Sequence, residues 1–319
     1  MVAQRIIPLI PDLSPVLNFA ATVWLAVSVL LYGRGWRFVR GTTLDSAWWW
    51  GWTAWALWGV SWALELNPGI LSPGVLDQMW YAVALLLLAA LVSVLGAKRP
   101  GSRVWTWFVT VPMLLVLGWP ALFAWSQGWP PESLRVMAPA LWAYALVCVM
   151  GLGNYVGTRF LPSAVWMGVA LFWLVMPYSG WVSEMLPSPT GCRLRATLCA
   201  GMAVIWPAVL AASVPFLAPW DRVWVDFVNS FGIVWGRRLQ DRFNETARQA
   251  KWGVKLDLYG LAWDDAPSST PSVERPRLPR WTPEMIHALQ WLLRRFVDQD
   301  WLEKRVGKGG EAHFEGKLE

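Results

Sequence analysis

The carboxylates closest to the long apolar runs of this 319-residue chain are Asp45 and Glu65, at the two ends of a tryptophan-rich segment. A charge inside a bilayer is costly to hold and by default marks a functional position. Glu65 opens the turn sequence ELNPG, which puts it at an interface in a solvated or structural role. Asp45 and Glu65 flank one apolar segment on opposite sides, so they cannot form a single acid–base pair. Asn154, in GLGNYVG, is the polar group of most interest within an apolar run. Its amide can cross-link helices or meet a substrate, and Gly151, Gly153 and Gly157 let neighbouring helices come close. Glu65 and Asn154 are therefore the candidates for ligand contact or helix packing.

Other chemistry has little to stand on. His287 and His313 both lie in the charged C-terminal part, away from the apolar runs where a membrane haem or zinc site needs its ligands. No metal and no cofactor is expected. Cys148, Cys192 and Cys199 show no CxxC spacing and no even framework, and read as small apolar residues. Ser179 lies near Glu184 without a His or Lys base to activate it. The late GKGG lacks the spacing and preceding strand of a phosphate loop. No catalytic residues and no nucleic-acid partner are expected.

The elements that must position these groups are set by composition. The chain is 56% hydrophobic and 15% charged, against about 25% charge in an ordinary soluble domain, which assigns it to the membrane class. Residues 46–64, SAWWWGWTAWALWGVSWAL, hold seven of the 28 tryptophans. An indole meets both of its demands at a membrane, the ring among acyl chains and the N–H toward water or a carbonyl. At roughly 100° per residue Trp48, Trp52, Trp55, Trp58 and Trp62 share a face, with Gly51, Ala54 and Ser61 away from it. A crossing helix needs about 20 mostly apolar residues. Windows near 16–32, 47–64, 76–97, 104–125, 136–157, 163–181 and 194–217 give an all-α, polytopic membrane protein of about seven spans, with six to eight compatible. Residues 1–218 are the transmembrane bundle.

Loop cations orient it. The first, third and fifth connections carry seven (Arg34, Arg37, Arg40, Lys98, Arg99, Arg103, Arg159), and the other side carries four (Arg5, Arg135, Arg193, Arg195). The positive-inside rule then sets the N-terminus outside and the C-terminus in the cytosol, most simply at the plasma (inner) membrane. Arg193 and Arg195 read as side chains that snorkel to headgroups.

The last 100 residues hold sixteen of the 27 cations and fifteen of the 21 acids. Residues 219–263 open with an amphipathic helix, its stripe running through Trp220, Val223, Trp224, Phe227 and Phe231. It is expected to lie on the membrane surface or dock on the bundle, with Trp220, Trp224, Arg237, Arg238 and Arg242 meeting the bilayer. Residues 264–282 form a Pro-rich linker. Residues 283–306 are an amphipathic docking helix with Thr282 as N-cap and Pro283 at the first position, and 307–319 a disordered tip. A single helix cannot bury its own stripe, so Leu289, Leu292, Leu293 and Phe296 must meet lipid, the membrane bundle, a second copy or another protein, and a protein partner or a second copy is the expectation. These features favour a non-enzymatic scaffold or signal-transmitting subunit. A permease or membrane component of a transporter is the alternative, and an enzyme acting on a lipid-linked substrate through Asp45, Glu65, Asp77 or interface arginines is the third reading.

Overall fold

The computed structural model describes residues 14–99, 102–131, 134–180, 188–210, 218–264 and 280–306. Most of these are helical. Helix α1 (Ser14–Arg34) runs into the short α2 (Trp36–Val39), and the tryptophan-rich segment forms α3 (Asp45–Glu65). Pro73, whose fixed φ suits a first helical turn, starts α4 (Pro73–Leu95). Helix α5 (Ser102–Trp105) continues through a widened turn, Thr106–Thr110, into α6 (Val111–Ser126). The widening falls just before Pro112, which has no N–H for the α-helical ladder. Helices α7 (Ala138–Gly153), α8 (Leu161–Val175, with a tighter turn at Met176–Tyr178) and α9 (Pro189–Leu210) complete the bundle.

Among the described residues, four helical stretches are long and apolar enough to cross a membrane: Pro15–Val39, Pro73–Leu95, Thr106–Ser126 and Leu161–Tyr178. The other three windows expected to span are weaker. Helix α7 has 16 residues, about 24 Å at 1.5 Å per residue and short of the roughly 30 Å of hydrocarbon. Helix α3 is long enough, but its tryptophans favour the headgroup layer over hydrocarbon, and α9 begins with two arginines. Helix α4 is the hub, packing on α3, α6, α7 and α8, and 67% of its apolar window is buried, against 17% for α1 and 11% for α6. The central helix is thus the one whose apolar surface is mostly covered by protein.

The C-terminal part is a second packed unit on one end of the bundle. Helix α10 (Pro219–Phe231) turns at Gly232 into α11 (Ile233–Gln249). A hairpin follows, β1 (Val254–Asp257) antiparallel to β2 (Gly260–Trp263), with Val254 opposite Trp263 and Asp257 opposite Gly260. This hairpin falls where the sequence led us to expect no strand. A lone hairpin is marginal, and this one is held from outside. Asn244 brackets Leu256 with both amide atoms (2.6 and 3.1 Å), Trp224 donates to the Asp257 carbonyl (2.6 Å), and Asp221 accepts from the Leu261 N–H (3.0 Å).

The expected helix over 283–306 is two helices, α12 (Pro283–Leu293) and α13 (Gln299–Val306). Between them Val297 makes a bridge to Thr42 of the bundle, and an unbroken helix would have no free backbone groups there to pair. Thr282 caps α12, its hydroxyl accepting from Met285 N–H. The linker interior 265–279 and the tip 307–319 lie outside the described residues.

Candidate functional site

At the end of the bundle away from the C-terminal unit, four helical segments converge on one guanidinium. Arg193, one turn into α9, donates to Glu65 at the end of α3 (2.5 Å), to Asp77 in the second turn of α4, and to the Tyr178 hydroxyl after α8 (3.4 Å). Glu65 also accepts from Trp80 Nε1 (3.2 Å) and Thr190 Oγ1 (2.6 Å). The Arg193 side chain is 6% exposed and Glu65 7%, and the guanidinium lies 5.8 Å from the Trp80 ring centre. Glu65 at a helix C-terminus and Arg193 near a helix N-terminus each oppose the local helix dipole. Their ion pair offsets both misfits. Two carboxylates share a single guanidinium here, and Nε of Arg193 has no partner among the described residues.

Of the two roles expected of Glu65, solvated or structural, its burial and ion pair match the structural one. Arg193 corrects an expectation, since it does not snorkel outward. Arg195 does lie outside the cluster, stacked on Trp173 at 5.2 Å. A signal for Arg193 was present in the sequence, because Ala196, Ala200 and Ala203 continue its line along α9 and are all buried. That small-residue face has to meet neighbouring helices, and Arg193 lies at its start. Asp45 sits apart at the opposite end of α3. Ser179 spends its hydroxyl on the Met176 carbonyl (2.9 Å), and Glu184 lies outside the described residues.

Asn154, 2% exposed, is at the other end of the bundle and uses both amide atoms and its carbonyl there. Its Nδ2 donates to the Phe231 carbonyl (3.0 Å), its Oδ1 accepts from Val234 N–H (3.0 Å), and its carbonyl accepts from Ile233 N–H (2.7 Å). It therefore holds the turn between α10 and α11 and joins bundle to tail. Gly232 makes this possible: its φ is +81° and an added Cβ would lie 2.2 Å from Asn154 Nδ2. Of the three nearby glycines, Gly151 sits at a close approach, where a Cβ would come within 2.8 Å of Leu91, whereas Gly153 has open space around it.

The same junction has further bonds. Thr43 N–H donates to the Phe296 carbonyl (2.8 Å), Asp298 N–H to Gly41 (2.7 Å) and Arg99 N–H to Arg295 (3.0 Å). Trp235 Nε1 reaches the Val94 carbonyl (3.2 Å), Arg99 pairs with Asp298 (2.7 Å), and Arg159 N–H donates to Asn229 (3.0 Å). Asp226 bridges Arg159 (3.4 Å) and Arg305 (3.2 Å). Three bundle loops, near residues 41–43, 97–99 and 154–159, thus share one side with the tail.

Of its two expected courses, the first stripe takes the docked one and not the membrane surface, and the last stripe, expected to meet a partner or a second copy, is turned inward beside it. Trp220 and Trp224 are 7% and 0% exposed, and Leu289, Leu292, Leu293 and Phe296 lie between 0% and 8%. They pack together in one core, where Phe296 meets the rings of Phe227, Phe231 and Trp235 at 4.9 to 5.4 Å. The stripe of the final helices and that of α10 cover each other, the partner that a single-helix reading could not supply. Arg237, Arg238 and Arg242 remain exposed on α11, Arg238 lying 4.9 Å over Trp235. An open groove of about 660 Å³ runs between α11 and α12, lined in part by Arg242, Glu245, Gln249, His287, Trp291 and Leu292.

No protein-family model matches the chain, and no curated protein or solved structure is significantly similar to it.

Proposed function

We propose that this chain is a seven-span membrane protein, crossing through α1, α3, α4, the α5–α6 helix, α7, α8 and α9, with its N-terminus outside and its tail in the cytosol. It serves as a non-enzymatic scaffold or signal-transmitting subunit. The observation that carries this reading is the junction: three loops from the cation-rich side bond to one folded tail unit, so a change in helix packing reaches the tail through fixed contacts. An odd number of crossings agrees with loops one, three and five lying on the tail's side. With the stripes of α10 and α12 used internally, the α11–α12 groove is the surface proposed for a protein partner, and Trp291, 42% exposed, is its largest apolar group.

Two experiments test this. A cytosol-maturing fluorescent protein fused to Glu319 should fluoresce and alkaline phosphatase at the same point should stay inactive; the reverse pattern overturns the topology. His287→Glu with Trp291→Glu should abolish the cellular role at unchanged melting temperature, and an undiminished role removes the groove from the account.

A transporter component is the second reading, favoured by the surplus carboxylate buried with Arg193. On that reading Asp77→Asn abolishes uptake of a substrate or proton flux in vesicles while the protein remains folded, and unchanged flux rejects it.

A further inference from the structure

Arg34, Arg37 and Arg40, at the tail end of α1 and α2, are exposed, and no carboxylate among the described residues pairs with any of them. The nearby Asp298 is already taken by Arg99 at 2.7 Å. Beside these cations α1 and α3 leave an open groove of about 360 Å³. Val29, Leu30, Trp36 and Trp52 give it apolar walls, and Arg34 and Arg37 contribute two guanidinium groups. Leu30 is 69% exposed, so the apolar part opens outward from a helix that is long and apolar enough to cross a membrane. The aromatic wall is held by its own contacts: Trp52 stacks on Trp48 with 5.6 Å between ring centres and 4° between planes, and Trp36 meets Trp48 at 4.7 Å. Gly33 gives the groove its depth, since a Cβ there would lie 3.4 Å from the Trp52 ring.

We propose that this groove binds an anionic phospholipid, with the phosphate on Arg34 and Arg37 and an acyl chain along Val29, Leu30 and Trp52. The chemistry on both sides matches. Guanidinium forks pair with phosphate oxygens through two parallel hydrogen bonds, and indole rings settle at the boundary between headgroup and chain. A free phosphate would satisfy the arginines and leave the apolar walls bare. A zwitterionic lipid would carry its own cation to a place that already has three. Arg40 directly precedes the loop bonded to the tail, so the bound lipid lies beside the junction between bundle and tail. The proposal rests on α1 lying in a bilayer, as the membrane reading has it.

The test uses the full chain in neutral detergent with dioleoylphosphatidylglycerol or dioleoylphosphatidylcholine added, and counts retained lipid by native mass spectrometry. The wild type should retain the phosphatidylglycerol. Arg34→Gln with Arg37→Gln should weaken retention roughly thirtyfold, two surface cations' worth of attraction, whereas Lys255→Gln with Lys304→Gln, an equal loss of charge elsewhere, should not. On the unaltered chain, phosphatidylglycerol carrying a photoreactive acyl chain should label residues 29–37 or Trp52. Unlabelled phosphatidylglycerol should suppress that label and inorganic phosphate should not. Equal retention of both lipids, labelling elsewhere, competition by inorganic phosphate, or unchanged retention by the double arginine variant overturns the site. A chain that leaves the membrane fraction in a carbonate wash overturns the membrane reading itself, whereas one that stays but shows no lipid preference removes the site alone.

Discussion

Arg193 is held by two carboxylates and a phenol in a place nearly closed to water. Removing one member of a buried ion pair strands its partners, at a cost of about 3–5 kcal/mol, whereas an apolar replacement of the whole group is often close to neutral. Arg193→Met should therefore lower the melting temperature sharply, and adding Glu65→Gln and Asp77→Asn should recover much of the loss, as thermal unfolding in detergent would record. Asn154 behaves differently from an ordinary cross-link between spans, for which about 0.6 kcal/mol is usual. Asn154→Leu leaves the Phe231 carbonyl and the Val234 N–H buried without partners, so about 2–4 kcal/mol is expected, with faster protease cleavage between bundle and tail as the readout. At the start of α12, Thr282→Ala should cost about 1 kcal/mol of tail stability by loss of the cap. Hydrogen bonds from its own N–H and from Thr282 hold the exposed Glu284 carboxyl below its ordinary range. A depressed acid supports folding above the carboxylate range and loses that support as pH falls through it. Glu284→Gln should accordingly flatten the acid limb of the tail's stability profile.

At the scale of elements, α12 is the one whose role changed most between sequence and structure. Leu289 and Leu293 are both fully buried, so a carboxylate at either would be placed in a closed core. Leu289→Asp with Leu293→Asp should unfold the tail, lost as a cooperative unit in hydrogen exchange, while the bundle stays inserted. Loss of a partner with an intact tail would show instead that the stripe is available to bind one. Gly232 between α10 and α11 is as demanding in backbone terms. Any side chain there meets both a left-handed φ and Asn154, so Gly232→Ala should separate tail from bundle more than a substitution at Gly153, which has space around it.

For the whole molecule, the bonds from the tail to Gly41, Thr43, Val94 and Arg99 tie it to the bundle. The amide protons of Thr43, Arg99 and Asp298 should exchange together with the tail core, as members of one cooperative unit. Trp235→Phe keeps the ring packing and removes the bond to the Val94 carbonyl, worth about 1 kcal/mol, so exchange at those amides should accelerate about fivefold.

The helical membrane class, the places of most helices, the capped start at Thr282 and the crowding of cations toward one set of loops were all legible in the sequence. They depend on local quantities: apolar run length, period, the fixed φ of proline and the charge of short loops. Glu65 and Asn154 stood out for the same reason, as polar groups beside or within apolar runs. Their partners did not stand out, because Arg193 and Gly232 lie 128 and 78 residues away in the chain. The stripes of α10 and α12 had the same ambiguity, since an apolar face states that it must be covered and not by what. Only the tertiary structure decided that both turn into one core, α12 on α11 and α13 on α10, that one guanidinium gathers three helix ends, and that the tail is fastened to the bundle. Those outcomes turn on which surfaces meet at distances of a few ångströms, a property of the folded chain and not of any one segment.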